Sequence, residues 1–225
     1  TTTNARIKNA LQDALEFATA NIPEFGDTAI AVDVSGSMSS PVTGSRPGAT
    51  SAVRCIDVAA LIGSAVLRKD PNSVVLPFSW DVIDVTLNGR DSVMTNAQTL
   101  ARLGGGGTAC AAPLAKLNKA KAKLDLVFYV SDNCSWADFN NGSGTAMAQE
   151  WATFKNRNPK AKLVLLDIQP YAHTQVKTSK DVLNIGGFSD KVFDVVAQFA
   201  KGETAGDHWV DVINAVSLSN RKSKE

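Results

Sequence analysis

A carboxylate and two hydroxyl groups follow the first apolar segment of the sequence at alternating positions. The stretch "AIAVDVSGSM" places Asp33, Ser35 and Ser37 at every second position. In an extended chain alternate residues face the same side, so these three side chains can converge on one point. One loop would then present a carboxylate and two neutral oxygen atoms to a common ligand.

Two further oxygen-bearing side chains stand at comparable positions later in the chain. Thr108 follows the four glycines 104–107, and Asp132 ends the apolar run 125–132, "DLVFYVSD". Hard oxygen donors without sulfur or imidazole suit Mg²⁺ or Mn²⁺. Two carboxylates balance a divalent charge, and neutral hydroxyls leave the ion able to accept an anionic oxygen from outside. The predicted metal ligands are Asp33, Ser35, Ser37, Thr108 and Asp132.

Other chemistries would require neighbours that the sequence does not place there. The stretch 104–109, "GGGGTA", satisfies G-x-G-x-x-A, but a dinucleotide site needs a strand before it and the preceding segment is predicted to be helical. A P-loop needs lysine where Gly107 stands. A serine hydrolase needs a base, and neither His173 nor His208 is predicted near a strand end. An aspartyl-phosphate enzyme needs a second aspartate at Ser35.

The remaining chemically active side chains are assigned structural roles or left open. The three cysteines, Cys55, Cys110 and Cys134, have no C-x-x-C spacing. They therefore predict neither a disulfide framework nor a zinc site, and a cytoplasmic location fits best. Trp136 is either a partner contact or a loop anchor. Asp167 also ends an apolar run, but it has no companion hydroxyls and is expected to be structural.

Apolar runs that alternate with helical patterns predict an α/β fold. We expect a doubly wound, mostly parallel sheet with one antiparallel edge strand and helices on both faces, in which ligands bind beyond the carboxyl ends of the strands. The predicted strands are 28–35, 73–79, 82–87, 125–132, 162–168 and 181–187. The predicted helices are 5–20, 51–68, 91–103, 109–123, 145–157, 188–200 and 207–216.

The composition is that of an ordinary globular domain with little net charge. The 225 residues include 23 basic and 22 acidic side chains, so overall charge does not favour nucleic acid or membrane binding. No apolar run is long enough to span a bilayer. We expect residues 1–26 to be a linker helix from a missing preceding region, 27–217 to be the domain, and 218–225 to be a tail.

The order of the predicted ligands resembles the metal-ion-dependent adhesion site of von Willebrand factor A (vWA) domains. The shared features are D-x-S-x-S at 33–37, a glycine-preceded Thr108, and a strand-ending Asp132, within a resemblance that covers about 28–201. The resemblance implies that the hydroxyls coordinate the ion directly and that the aspartates act directly or through water. It also implies that a glutamate or aspartate of a protein partner fills the open position.

Longer stretches resemble the carboxyl-terminal half of the Ro autoantigen (TROVE) family. These are "AIAVDVSGSM", "DLVFYVSDN" and "IGGFSDKVFDVVAQF", while "NARIKNALQDALEFA" is similar to the stretch that joins the family's helical-repeat ring to its vWA domain. The family resemblance implies a ribonucleoprotein that binds small non-coding RNA chiefly through the ring. Because these residues lack the ring, RNA binding by this domain alone does not follow. Cys134 stands where Ro relatives are expected to have a polar residue.

Three functions compete for this set of residues. The first is a non-catalytic, Mg²⁺-dependent module that binds an acidic group of a protein partner. The second is a structural domain that closes a ring and keeps only a vestigial metal site. The third is a metal-assisted hydrolase or phosphotransferase, but no general base stands beside the predicted ion, so we expect no enzymatic activity.

Overall fold

The computed structural model describes residues 4–44, 47–48, 50–132, 145–169 and 176–202. The strands are β1 (Thr28–Asp33), β2 (Val74–Phe78), β3 (Leu126–Ser131), β4 (Lys162–Asp167) and β5 (Val182–Gly186). The helices are α1 (Ala5–Ala20), α2 (Cys55–Lys69), α3 (Val93–Ala101), α4 (Ala112–Lys119), α5 (Ala146–Arg157) and α6 (Lys191–Ala200), with a short 3₁₀ turn at Gly36–Ser39.

The five strands form one sheet in the order β2-β1-β3-β4-β5, and every pairing is parallel. All six residues of β1 and all six of β3 are buried, as expected for central strands that are covered on both faces. The strand order places the carboxyl ends of β1 and β3 side by side. The predicted α/β class with a parallel sheet is therefore confirmed.

The predicted antiparallel edge strand at 82–87 is wrong. Contact with β2 is limited to one isolated bridge between Phe78 and Val82 and a 2.8 Å hydrogen bond from the Ile83 amide to the Pro77 carbonyl. That hydrogen bond shows that the backbone of Pro77 faces the outer edge of β2. Proline has no N–H, so it cannot donate to a further strand at this edge. The alternation in 82–87 has another cause, since Val85 and Leu87 pack on a small cluster between α2 and α3.

Alternate residues of the central strands contribute to two cores on opposite faces of the sheet. On one face Ile30 and Val32 join side chains of α2 and α6 in a large cluster. On the other face Ala29 and Ala31 pack with side chains of α4 and α5. All of β1 is thus buried because its alternate side chains enter two different cores. Helices on both faces hold β1 and β3 in fixed positions beneath the predicted site.

Helix α1 packs on the domain through its second half. The Glu16 carboxylate accepts a 2.8 Å hydrogen bond from Arg68 Nε and a 2.7 Å bond from the Val93 amide, which ties α1 to α2 and α3. Within the first half, Ile7 and Leu11 remain exposed. The bounds of α1 match the predicted helix, whereas its role as a linker stays a prediction. The predicted helix 207–216, the domain end at 217 and the tail 218–225 lie outside the described residues.

None of the helices in the described ranges is both long and apolar enough to cross a membrane.

Candidate metal centre

The first predicted ligand loop turns sharply where β1 ends. The Asp33 Oδ1 atom accepts a 2.8 Å hydrogen bond from the backbone amide of Ser35, a local turn that aspartate favours. The chain then enters the 3₁₀ turn, and the hydroxyl oxygens of Ser35 and Ser37 lie 3.1 Å apart. Ser35 is buried and Ser37 is partly exposed. Three of the predicted ligands are therefore brought together by local structure.

The glycine-rich loop lies directly against this first loop. The Gly36 amide donates to the Gly106 carbonyl at 2.9 Å, and the Gly105 amide donates to the Val34 carbonyl at 2.9 Å. Gly105 and Gly106 have φ angles of +136° and +83°, which residues with a Cβ rarely adopt. These glycines allow the close approach and the turn that leads to the buried Thr108. The loop is thus held beside the serines by backbone hydrogen bonds.

The third predicted ligand follows β3, the neighbour of β1 in the sheet. Asp132 is the first residue after β3 and is 2% exposed. The hydroxyl of Ser131, the last residue of β3, donates a 2.6 Å hydrogen bond to Asp33 Oδ2. The parallel register pairs Val32 with Val130, so the two strands end at the same level. Both carboxylates therefore stand at one edge of the sheet, with little access to water.

Burial raises the pKa of Asp33 from its ordinary value of 3.8 to about 6, because the charged carboxylate loses its hydration. Hydrogen bonds from Ser131 and Ser35 oppose this rise, and the nearby negative charge of Asp132 adds to it. Placing an aspartate here is unfavourable for a metal-free protein near neutral pH. A cation in the site would offset both the lost hydration and the repulsion.

The arrangement fits a divalent metal that prefers oxygen ligands. The five side chains offer two carboxylates and three hydroxyls, a donor set that suits Mg²⁺ or Mn²⁺ better than zinc or copper. Within the described ranges there is no group of three or more histidine, cysteine, aspartate or glutamate side chains placed to hold a metal. Any ion at this edge would thus depend on the hydroxyls. Metal binding by Asp33, Ser35, Ser37, Thr108 and Asp132 stays a prediction.

Three of the other candidates from the sequence, Cys55, Cys110 and Asp167, lie in the described part of the chain. Cys55 and Cys110 are buried. The backbone carbonyl of Asp167 accepts a 2.8 Å hydrogen bond from Gly187 at the end of β4, in keeping with a structural role. The positions of Cys134, Trp136, His173 and His208 lie outside the described residues.

Two residues beside the site were missed by the reasoning from sequence. Ser131 stands within the predicted apolar strand 125–132, where "VSD" places a hydroxyl next to the predicted ligand Asp132. Its contact with Asp33 depends on β3 lying beside β1, which the sequence pattern does not specify. Trp80 is 66% exposed and lies against the glycine-rich loop. No spacing rule connects it to that loop, which is distant in sequence.

Replacing Ser131 with alanine is expected to weaken Mn²⁺ binding about tenfold, as for other groups that orient a metal ligand. The variant loses the 2.6 Å hydrogen bond that holds Asp33 and lowers its pKa. Calorimetry with Mn²⁺ measures the affinity. Ser73→Ala provides a matched control, because Ser73 is buried just before β2, at the opposite edge of the sheet, and its hydroxyl donates a hydrogen bond to Asp70. Equal affinities for Ser131→Ala and wild type would contradict the orienting role.

Comparison with known proteins places the whole sheet in one family. The family model described as "Ro60 vWA domain" matches residues 28–200, which is most of the chain. The protein named "RNA-binding protein RO60" from Deinococcus radiodurans is 27% identical over 199 residues. That alignment covers 88% of this chain and 36% of the relative.

The crystal structure of the Deinococcus radiodurans RO (RSR) protein has the same fold. It superposes with a TM-score of 0.70 at 20% sequence identity, covering 89% of this chain and 39% of the crystallised one. At this identity the superposition supports the fold alone. The chain therefore spans somewhat more than a third of the length of these two proteins.

Proposed function

The chain belongs to the Ro60 vWA domain family, and from this we propose that it is a non-catalytic, Mg²⁺-dependent protein-binding module of a Ro-type ribonucleoprotein. The residues that would hold Mg²⁺ or Mn²⁺ are Asp33, Ser35, Ser37, Thr108 and Asp132.

The observation that carries the proposal is the convergence of two buried carboxylates and buried hydroxyls at one edge of the sheet. Asp33, Ser35, Thr108 and Asp132 are each no more than 2% exposed. Burying two neighbouring carboxylates is unfavourable because each loses hydration and their negative charges repel each other. A divalent cation would relieve both effects. The cluster is better explained as a binding site than as part of a hydrophobic core.

When bound, the ion would act as an electron-poor centre that accepts an anionic oxygen. The chain's own residues would determine its affinity and its accessibility. Hydroxyls are neutral, so they leave positive charge at the ion for a ligand from outside. Among the three predicted ligands of the first loop Ser37 alone is partly exposed, and its neighbour Gly36 is exposed, so this part of the loop is accessible to solvent. A carboxylate from an aspartate or glutamate of a protein partner has the charge and size to bind there.

The RNA connection of this family is proposed to lie outside this chain. The relative from Deinococcus radiodurans is named as RNA-binding, and this chain covers 36% of its length. With 23 basic and 22 acidic residues, the chain lacks the positive excess that typically drives RNA binding. We therefore assign small non-coding RNA to the helical-repeat region of the longer protein, and protein contacts to this domain.

A structural role is the second candidate, and one observation favours it. Both oxygens of Asp33 already accept hydrogen bonds, from Ser35 at 2.8 Å and from Ser131 at 2.6 Å. Such a carboxylate can persist without metal, as in a vestigial site. In that case the domain would stabilise the ring of the full protein. Removing metal with EDTA would then change neither the assembly of the full-length protein nor its protein contacts.

Mg²⁺-dependent retention of a partner tests the protein-binding function. Immobilised wild-type domain and the Asp132→Asn variant are incubated with extract of the source cells, in Mg²⁺ and in EDTA. We expect at least one protein to be retained by wild type in Mg²⁺ and lost in the other three conditions. The purified partner should then bind with the same metal requirement. Asp84→Asn serves as a control because Asp84 is an exposed carboxylate paired with Lys116.

The proposal fails if the same proteins are retained in EDTA or by Asp132→Asn. It also fails if calorimetry finds equal Mn²⁺ binding by wild type and Asp33→Ala, since the ion would then lie elsewhere.

A further inference from the structure

Trp80 is a large aromatic side chain that remains exposed beside the candidate metal centre. It follows β2, whose carboxyl end lies at the same edge of the sheet as those of β1 and β3. The side chain is 66% exposed, although tryptophan usually buries most of its surface. An exposed indole at the ligand-binding edge of an α/β sheet therefore needs an explanation.

One side of the indole lies along two consecutive glycines of the metal-site loop. A Cβ atom added to Gly107 would lie 2.6 Å from Trp80 Cζ2 and Cη2, and one added to Gly106 would lie 2.8 Å from Trp80 Cδ1. Any larger residue at either position would displace the ring. The five-membered ring therefore contacts Gly106 and the six-membered ring contacts Gly107, and the rest of the side chain is accessible to solvent.

Backbone hydrogen bonds connect this aromatic surface to both ligand loops. The Ser79 carbonyl accepts a 2.8 Å hydrogen bond from the Ala109 amide, which joins the residue before Trp80 to the residue after Thr108. The Gly106 carbonyl accepts from Gly36, which stands between the two serines of the first loop. The ring is therefore held in place next to the residues that would bind the ion.

From this geometry we propose that Trp80 is a specificity-determining contact for the partner, packing against an apolar or aromatic side chain adjacent to the partner's metal-bound aspartate or glutamate. This inference rests on the proposed function, because the carboxylate would bring that neighbouring side chain over the ring. Aromatic side chains are enriched at the centres of protein interfaces because they bury large areas with little loss of conformational freedom.

Charge around the ring favours a protein over a nucleic acid. The next residue, Asp81, is exposed, and the site itself contains the carboxylates of Asp33 and Asp132. Even with a divalent cation bound, Asp81 leaves negative charge beside the indole, which would repel a phosphate backbone. A peptide segment that carries one carboxylate for the ion and an uncharged side chain beside it avoids this repulsion.

The test measures peptide affinities by NMR in saturating Mg²⁺ from the backbone amide resonances of Gly106 and Gly107, which lie against the ring and are present in every variant. In proteins that keep Trp80 its indole N–H resonance, assigned with Trp80→Phe, is followed as well. The probes are acetyl-Phe-Asp-Phe-amide, acetyl-Ala-Asp-Ala-amide and acetyl-Phe-Asn-Phe-amide. We expect wild type to bind the Phe-Asp-Phe peptide about threefold to tenfold more tightly than the Ala-Asp-Ala peptide, the range that an aromatic pair contributes. That preference should disappear in Trp80→Ala, persist partly in Trp80→Phe, and be unchanged in Phe188→Ala, which removes an exposed aromatic ring elsewhere.

The outcomes separate this inference from the function on which it rests. Mg²⁺-dependent binding of both aspartate peptides, with no preference for phenylalanine, would overturn the role of Trp80 and leave the metal site standing. A shift of the Trp80 resonance with a short oligoadenylate but not with the peptides would replace the protein partner with RNA. If Mg²⁺ does not bind, the proposed function and this inference both fail.

Discussion

Replacing Asp33 with asparagine is expected to stabilise the metal-free domain near neutral pH and to abolish its stabilisation by Mg²⁺. The introduced amide keeps an acceptor for the Ser35 N–H and can donate to the Ser131 hydroxyl, so both hydrogen bonds have counterparts in the variant. What disappears is the buried negative charge, which disfavours the folded state when no cation is present.

The pH dependence follows from the raised pKa of Asp33. The folded protein holds this proton more tightly than the unfolded chain, so the group contributes most stability below pH 3.8 and loses that contribution as pH rises to about 6. The difference between the ordinary pKa of 3.8 and the folded-state pKa of about 6 corresponds to about 3 kcal/mol in the free energy of unfolding. In EDTA at neutral pH, the free energy of unfolding of Asp33→Asn should thus be higher than that of wild type by up to about 3 kcal/mol. This difference should shrink towards pH 4.

Urea unfolding in EDTA and in saturating Mg²⁺ measures both effects. Mg²⁺ at about 100 times its dissociation constant should stabilise wild type by roughly 2.7 kcal/mol and leave Asp33→Asn unchanged. Asp84→Asn is the control, and it should respond to Mg²⁺ as wild type does. An Asp33→Asn domain that is less stable than wild type in EDTA at neutral pH would contradict the account of this carboxylate.

Replacing Gly63 with alanine is expected to destabilise the domain, although alanine is the better helix former. Gly63 lies within α2 where the helix crosses β1, and a Cβ there would lie 2.6 Å from Val32 Cγ2. Overpacking of this kind typically costs about 1–3 kcal/mol, against a gain of about 1 kcal/mol from helix propensity. We therefore expect a net loss of up to about 2 kcal/mol.

A double-mutant cycle with Val32→Ala isolates this contact. Alanine at position 32 has no Cγ2 atom, so Gly63→Ala in that background should be neutral or stabilising, with a coupling energy of about 2 kcal/mol. Val164→Ala is the matched control, because Val164 is buried on the same face two strands away. Coupling should there fall below about 0.5 kcal/mol. Equal coupling with both partners would mean that the clash with Val32 is not the cause.

The predictable parts of the fold are those where local sequence and tertiary burial agree. Helix α1 matches its predicted bounds because its apolar residues have helical spacing and Asn4 caps its first turn. The apolar runs that lead to Asp33 and Asp132 predict central strands correctly, because strands that are buried on both faces consist of continuous apolar residues. Apolar and polar residues alternate in the segment 82–87 as they would in a strand. The backbone of Pro77 faces the outer edge of β2, however, and has no N–H with which to pair a further strand.

The candidate site was predictable only where residues near in sequence act together. The spacing of Asp33, Ser35 and Ser37 predicts by itself that their side chains lie close together. Alternate residues of an extended chain face the same side, and aspartate favours a local turn. The contact between Ser131 and Asp33 requires the strand order, and the position of Trp80 requires the path of a glycine-rich loop. Such contacts between distant segments come from packing, which a single sequence does not display.

A crystal structure of the domain grown with Mn²⁺, with anomalous data collected at the manganese edge, tests the central claim most directly. The account predicts one strong anomalous peak enclosed by the Ser35, Ser37 and Thr108 hydroxyls and the carboxylates of Asp33 and Asp132. Its outward side should be occupied by water or by a carboxylate from a neighbouring molecule. The absence of a peak at this edge under saturating Mn²⁺, or a peak bound only by other residues, would contradict the claim.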